Sequence, residues 1–313
     1  MDRRRALITG ATGFVGSHLA RALIQESWEV HAVIRRHSNL EPLRDISDRL
    51  KVHSHDGNVA RLLEIVEKSQ PAVVFHLASQ FIVEHRPKEI KDLIISNILF
   101  GTYLVEAMSL RGVKYLVNTG TSWQHFESRD YDPVNLYAAT KEAFEAILSF
   151  YINVRDLKII TLKLFDTYGP NDPRPKIFAL LRRMMNQKEP FAMSPGDQLL
   201  DLTYIDDVVD AYLCAANHLL EGRVSGHEHY AVSSGCTVSL RELVSIFQRE
   251  TNSILPVQWG GKPYRLREVM VPWDRGEPLP GWRPRVPFAE GLKKLAAWER
   301  EGLVRRPTRE EQA

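Results

Sequence analysis

The chain has 313 residues, 44% of them hydrophobic and 26% charged, which excludes a collagenous, disordered or disulfide-scaffold protein. Lys plus Arg (41) nearly balance Asp plus Glu (39), and a net charge of +2 argues against nucleic acid as the partner. The two cysteines, Cys214 and Cys236, are too few for a disulfide framework and read as buried apolar residues in a reducing compartment.

An arginine run at 3–5 leads directly into an apolar strand pattern and not into a long signal segment. Short Val/Ile-rich runs at 7–9, 30–34, 72–77, 113–118 and 157–164 predict strands. Helical periodicity at 15–24, 62–68, 93–108 and 136–151 fills the intervals. Such alternation implies an α/β fold with a parallel, doubly wound sheet, whose ligands lie at the carboxyl ends of the strands. After Tyr168-Gly169-Pro170 the pattern changes, with five prolines in 170–195 and a second Pro/Gly/Trp-dense stretch at 253–287. Helices are expected at 206–219, 240–250 and 288–301. The expected organisation is a nucleotide-binding domain over 1–168 plus about 200–233. A smaller, loop-rich C-terminal substrate-binding lid covers about 169–199 plus 234–313. No membrane span is expected, because the apolar stretch 208–220 is interrupted by Asp210, Asn217 and His218. A cytoplasmic location follows as an expectation.

The strongest local signal is Thr9-Gly10-Ala11-Thr12-Gly13-Phe14-Val15-Gly16, between a predicted strand and a predicted helix. Gly10 permits the tight turn, Gly13 lets backbone N–H groups approach a pyrophosphate, and Gly16 lets the helix pack closely. The diphosphate of a dinucleotide then meets the positive end of the helix. At the end of the second strand, where an NAD site presents Asp or Glu, the chain reads Arg35-Arg36-His37-Ser38. Guanidinium groups suit a 2′-phosphate and point to NADP (NADPH) in preference to NAD. Asp56, in Asp56-Gly57-Asn58, is a candidate acceptor for the adenine amino group, against the plain alternative of a turn.

Tyr137 and Lys141 stand four apart, on one face of a helix. A free tyrosine has a pKa near ~10, and a neighbouring ammonium favours its phenolate. Tyr137 is then a candidate acid or base toward a carbonyl or alcohol oxygen.

With these residues, Phe75-His76-Leu77-Ala78, Asn97, 164–170, 204–208 and Gly281-Trp282, the chain resembles the extended short-chain dehydrogenase/reductases that act on nucleotide sugars. The resemblance covers nearly the whole chain and implies a Rossmann-type sheet. It places Thr12, Phe14, Val15, Ser38, Gly57, Leu77, Ala78, Ser79, Asn97, Thr119 and Leu164 at the cofactor, beside the glycines, Arg35, Arg36, Asp56, Tyr137 and Lys141. It completes the triad with Thr121, with Ser122 and Thr119 as fallbacks. It also implies a homodimer through a four-helix bundle built from 93–108 and 136–151.

Residues after Thr121 separate the family's chemistries. Sugar 4,6-dehydratases follow their Thr with Asp-Glu, and Ser122-Trp123 cannot serve as that acid and base. No Cys stands nearby, which argues against a C3/C5 epimerase. An NADPH-dependent 4-ketoreductase and an NAD-dependent 4-epimerase remain. The segments 118–125 and 135–141 resemble nucleotide-4-keto-6-deoxyhexose reductases of the CDP-paratose and CDP-abequose synthase type. A non-catalytic NADP-binding regulator ranks last, since both Tyr137 and Lys141 are present.

The substrate expected is a nucleotide-diphosphate sugar. Gln80, Thr121, Ser122, Trp123 and His125 are candidates to line its site. Asp166 stands where the family has Asn, so it holds a sugar hydroxyl or is neutralised by Lys163. Arg174 and Lys176 are basic candidates, and Arg265 or Arg267 matches the family's diphosphate clamp. Trp259, Trp273 and Trp282 read as lid packing. His53, His55, His227 and His229 alternate in strand-like stretches without ligand partners, so no metal is assigned.

Overall fold

The computed structural model describes residues 4–185, 187 and 189–304. In chain order the elements begin with β1 (Arg5–Thr9), α1 (Phe14–Gln25), β2 (Glu29–Arg35), β3 (Leu50–His55), α2 (Val59–Ser69) and β4 (Val73–His76). Next come α3 (Ile90–Ile94), α4 (Phe100–Leu110), β5 (Tyr115–Thr121), α5 (Leu136–Arg155), β6 (Lys158–Leu164) and β7 (Asp166–Tyr168). They continue with α6 (Ile177–Met184), β8 (Phe191–Ala192), β9 (Leu199–Tyr204), α7 (Ile205–Leu220), β10 (His227–Val232) and β11 (Thr237–Ser239). The last are α8 (Leu240–Thr251), β12 (Val257–Gln258) and α9 (Phe288–Val304). The chain separates into two compact units.

The first unit comprises Met1–Phe165, Val208–Val232 and Trp273–Arg283. Its sheet has seven strands in the order β10-β6-β5-β4-β1-β2-β3, with every pairing parallel. This is the Rossmann-type order, with its reversal between β1 and β4. Strand residues Leu7, Val74, Leu116 and Ile159 are fully buried against Leu62, Leu104, Met108 and Leu148 of the covering helices. The register sets Thr9 opposite His76, His76 opposite Asn118, Asn118 opposite Thr161, and Thr161 opposite His229. A polar row therefore crosses five strands, at the carboxyl ends of β1 and β4 and mid-strand in β5, β6 and β10.

The helix expected over 93–108 is longer and interrupted. A single wider turn, the π-helical Ile95–Leu99, joins α3 to α4. Single π turns of this kind cluster at functional sites. Pro87–Leu110 is long and apolar enough to cross a membrane by length and composition. Its inner side buries Leu93, Asn97, Leu104, Val105 and Met108. Its outer side exposes Ile90, Ile94, Ile95 and Leu99, and α5 exposes Phe150 and Val154.

The second unit comprises Asp166–Asp207, Ser233–Pro272 and Pro284–Ala313. A three-stranded sheet, β11-β9-β7, packs with α8 and α9. Buried Asp201 accepts hydrogen bonds from Ser233 Oγ and from the Ser234 N–H, at 2.8 Å for the latter. Cys236 lies in the turn that follows and is exposed, while Cys214, on α7, is half-buried. The expectation that both are buried fails: Cys214 is only half-buried, and at Cys236 a Ser-Ser-Gly turn carries the chain to the surface.

Candidate active site

Gly10 has φ +75, the left-handed region, and a Cβ there would come within 2.6 Å of the Ala78 nitrogen. A Cβ on Gly16 would come within 2.1 Å of the Gly10 carbonyl oxygen. Gly10 thus lets the turn lie on the segment after β4, and Gly16 lets α1 lie on the turn itself. Gly13 is the N-cap of α1, without a side-chain cap, and no acidic residue stands in the first turn. The positive helix end therefore has no acidic side chain in its first turn to offset it, which fits a dinucleotide diphosphate. Thr12, Phe14 and Val15 belong to this turn, and Leu77, Ala78 and Ser79 form the segment it touches.

At the end of β2, Arg35 and Arg36 are exposed, and their guanidiniums make no hydrogen bond or ion pair among the described residues. Ser38 Oγ accepts from the Arg35 N–H at 3.0 Å and closes the turn. Asp56 is exposed, and its Oδ1 accepts from the Asn58 N–H at 3.0 Å while Gly57 adopts φ +95. This is the turn reading of that segment.

Asn97, expected at the cofactor, has its side-chain amide engaged within the protein. It is buried in the wide turn between α3 and α4. Its Oδ1 accepts from the Gln80 N–H (2.7 Å) and Ser79 Oγ (3.1 Å). Its Nδ2 donates to the Gln80 carbonyl (3.0 Å) and Thr140 Oγ1 (2.9 Å). An amide has two donors and two acceptor positions, so nothing remains for a ligand. Asn97 is a brace between the segment after β4 and α5. Asn135 is a second one, unforeseen from the sequence. Its Oδ1 caps α5 by accepting from Ala138 N–H, and its Nδ2 donates to the Val83 carbonyl at 2.9 Å.

Tyr137 and Lys141 lie on the first turns of α5, at 9% and 3% exposure. Burial pulls the Lys141 ammonium down to about 8. Phe81, also unforeseen, meets the Tyr137 ring edge to face at 4.9 Å and contacts Trp123 at 5.7 Å. Thr121 ends β5, and its Oγ1 accepts from the Trp123 N–H at 3.3 Å. Thr119 cannot substitute for it. The Thr119 hydroxyl donates to the His76 carbonyl at 2.8 Å and pairs with Tyr212 OH at 2.6 Å. Ser122 is buried and its carbonyl accepts from His125 N–H, while Leu164 ends β6 beside Thr121.

Buried Gln124 ties the Thr121 turn to α5. Its Oε1 accepts the Thr121 N–H at 2.9 Å, and its Nε2 donates to Glu145 at 2.9 Å and to Glu142. Burial alone would raise the Glu145 pKa, but His229, Lys163 and Gln124 together hold it at about 2. His125 stacks on Trp273 at 4.0 Å, and Trp273 stacks on Phe165. Trp273 therefore packs in the first unit and not in a lid. His125 Nδ1 faces the Arg129 carbonyl, its Nε2 is buried with no partner among the described residues, and burial lowers its pKa.

In the second unit Lys176, and not Lys163, neutralises Asp166, at 2.7 Å. Lys163 instead faces Glu145 and Glu142 in the first unit. Burial works to raise the Asp166 pKa, and Lys176, Arg174 and Arg265 outweigh it, so the carboxyl stays below its ordinary value. Arg174 forks onto Asp172 at 2.7 and 2.8 Å, and Arg265 onto Glu268 at 2.9 and 2.6 Å. Arg267 is half-buried. A cavity of about 590 Å³, lined by Arg5, Gln70, Arg111 and Lys114, opens at the amino ends of the strands. Parallel sheets bind ligands at the other end, so this cavity is not the candidate site.

Residues 6–232 match the model of the NAD dependent epimerase/dehydratase family. The chain belongs to that family. It is 28% identical over 296 residues to CDP-abequose synthase of Salmonella muenchen, covering 93% of this chain and 97% of that protein. It is also 28% identical over 319 residues to UDP-glucose 4-epimerase of Mycolicibacterium smegmatis, covering 95% and 98%. Among solved structures it is similar to MoeE5 in complex with UDP-glucose and NAD. There the TM-score is 0.80 and the identity 27%, with 96% of this chain and 99% of that one covered.

Proposed function

We propose that this family member reduces the C4 keto group of a nucleotide-4-keto-6-deoxyhexose with NADPH. The end of β2 carries the reading. Two exposed guanidiniums, Arg35 and Arg36, stand where an NAD site presents a carboxylate, and a 2′-phosphate is the charge that fits them. The likeness to CDP-abequose synthase supports the substrate class. The absence of an acid pair in Thr121-Ser122-Trp123 weighs against dehydration.

In this reading the first unit is the NADP-binding domain and the second contributes substrate contacts. NADPH, when bound, supplies hydride to C4. Tyr137 donates its phenolic proton to the oxygen left at C4. The buried Lys141 ammonium stabilises the phenolate that remains and hydrogen-bonds the nicotinamide ribose. The Thr121 hydroxyl donates to the carbonyl oxygen and fixes its orientation. Gln124, Asn97 and Asn135 hold these side chains in place. Arg174 and Arg265 each face a carboxylate, so a diphosphate gripped by either has to compete with Asp172 or Glu268. The apolar residues exposed along 90–99 and on α5 support a homodimer through these helices. Light scattering that finds only monomer would remove that part.

An NAD-dependent 4-epimerase is the second reading, favoured by the likenesses to the mycolicibacterial epimerase and to MoeE5 with NAD. Loss of NADPH absorbance with CDP-, dTDP-, GDP- and UDP-4-keto-6-deoxyhexoses separates the two. Oxidation with one of them is expected. No oxidation with any, and NAD released from the denatured protein, would establish the epimerase instead.

A further inference from the structure

Where β6 and β10 pair in the first unit, three donors converge that the reaction above does not use. The ligating atoms of Glu145 on α5 and of His227 and His229 on β10 all lie within 4.8 Å of one another. Alternation along β10 puts both histidines on one face of the strand. Glu145 Oε2 and His229 Nδ1 are 3.1 Å apart. Tetrahedral zinc, with bonds near 2.1 Å, needs donors about 3.4 Å apart, so the widest pair has to close by at most about 1.4 Å, about 0.7 Å from each side chain. The Glu145 side chain is 4% exposed and that of His229 41%, so the cluster reaches from the interior to water.

The surroundings have the form of an outer shell. Gln124 Nε2 holds Glu145 Oε1 at 2.9 Å. Thr161 Oγ1 lies 2.8 Å from His227 Nε2 and accepts from Asn118 Nδ2 at 3.1 Å. The Thr161 contact orients the His227 ring, and with Nε2–H donating to Thr161 the unprotonated nitrogen is Nδ1. One group opposes a cation. Lys163 Nζ stands 3.4 Å from Glu145 Oε2, but it also lies 3.7 Å from Glu142 Oε2, to which it can turn.

We propose that Glu145, His227 and His229 form a site for a divalent transition ion of the zinc class, with a fourth position open to water. Because Gln124 also accepts the Thr121 N–H, an ion here acts on the same turn that carries Thr121. The site stands whether the enzyme is a reductase or an epimerase.

The test uses untagged full-length protein carrying Cys214→Ser and Cys236→Ser, so that thiols cannot bind the metal. Zn²⁺ is titrated against a chromophoric chelator, and Co²⁺ is followed by its visible absorption. One ion per chain with tetrahedral Co²⁺ bands is expected. His229→Ala and His227→Ala should each weaken binding by more than about tenfold, while Lys163→Gln should tighten it several-fold. His229 is near the surface, so its removal leaves the core intact, and circular dichroism checks this. Failure to bind either ion, or binding that both histidine variants leave unchanged, overturns the proposal.

Discussion

Lys141 is 3% exposed, and its ammonium forms no hydrogen bond or ion pair among the described residues. Burial takes it from 10.5 down to about 8. That fall amounts to about 3 kcal/mol by which the folded state disfavours the charge relative to the unfolded chain. Methionine keeps the unbranched length without the charge. Lys141→Met should therefore raise the unfolding free energy at neutral pH by about 2–3 kcal/mol, read by urea denaturation, while turnover is lost. The pH dependence has a definite sign. Below about 8 both folded and unfolded wild type hold the proton, so the gap between variant and wild type is full. Between about 8 and 10.5 only the unfolded chain holds it, so wild-type stability rises with pH and the gap closes. A variant less stable than wild type at neutral pH, or a gap that stays constant to high pH, would refute the reasoning.

The same proton predicts activity. In the free enzyme kcat/KM should fall as pH rises through about 8, where Lys141 loses its charge, and a profile flat across that range would remove its role. Arg35→Ala with Arg36→Ala should raise KM for NADPH by about 10- to 100-fold and leave KM for NADH nearly unchanged. Equal effects on both cofactors would assign the arginines to something other than a 2′-phosphate. Gly16→Ala drives a methyl into the Gly10 carbonyl and should cost more than about 3 kcal/mol of stability together with dinucleotide binding. Thermal unfolding and fluorescence titration with NADPH would measure both.

Strands β1, β2, β4, β5 and β6 were legible because each is a short, buried Val/Ile run. At the edge of the sheet β3 mixes exposed Lys51 and Ser54 with half-buried His53, so its sequence shows only an alternating, strand-like stretch. The short helix α6 and the strands of the second unit are not legible in the sequence because their periods are too few to rise above a proline-rich background. Phe81 carries no signal in the sequence, and Gln124, inside the segment 118–125, has nothing to mark its bonds. One is a single aromatic in a loop, and the other is a single amide whose partners lie 3, 18 and 21 residues away. Nor does the sequence show that Asn97 bonds Gln80 and Thr140, 17 and 43 residues away.

Two features are local and needed only the order of residues. One is the glycine spacing from Gly10 to Gly16, which constrains a single turn. The other is the four-residue step from Tyr137 to Lys141, which any helix turns into one face. The remaining features depend on which strand lies beside which. Hydrophobic alternation reports the buried face of a strand, but the residue opposite is set by register and packing. Only the folded sheet aligns Thr9, His76, Asn118, Thr161 and His229 in one row. Only the packing of α5 on β10 brings Glu145 to two histidines more than 80 residues further along the chain. Lys163 and Lys176 show the same limit. Their distances along the chain from Asp166 are 3 and 10 residues, and the fold pairs the farther one, because Lys163 points into the first unit toward Glu142 and Glu145.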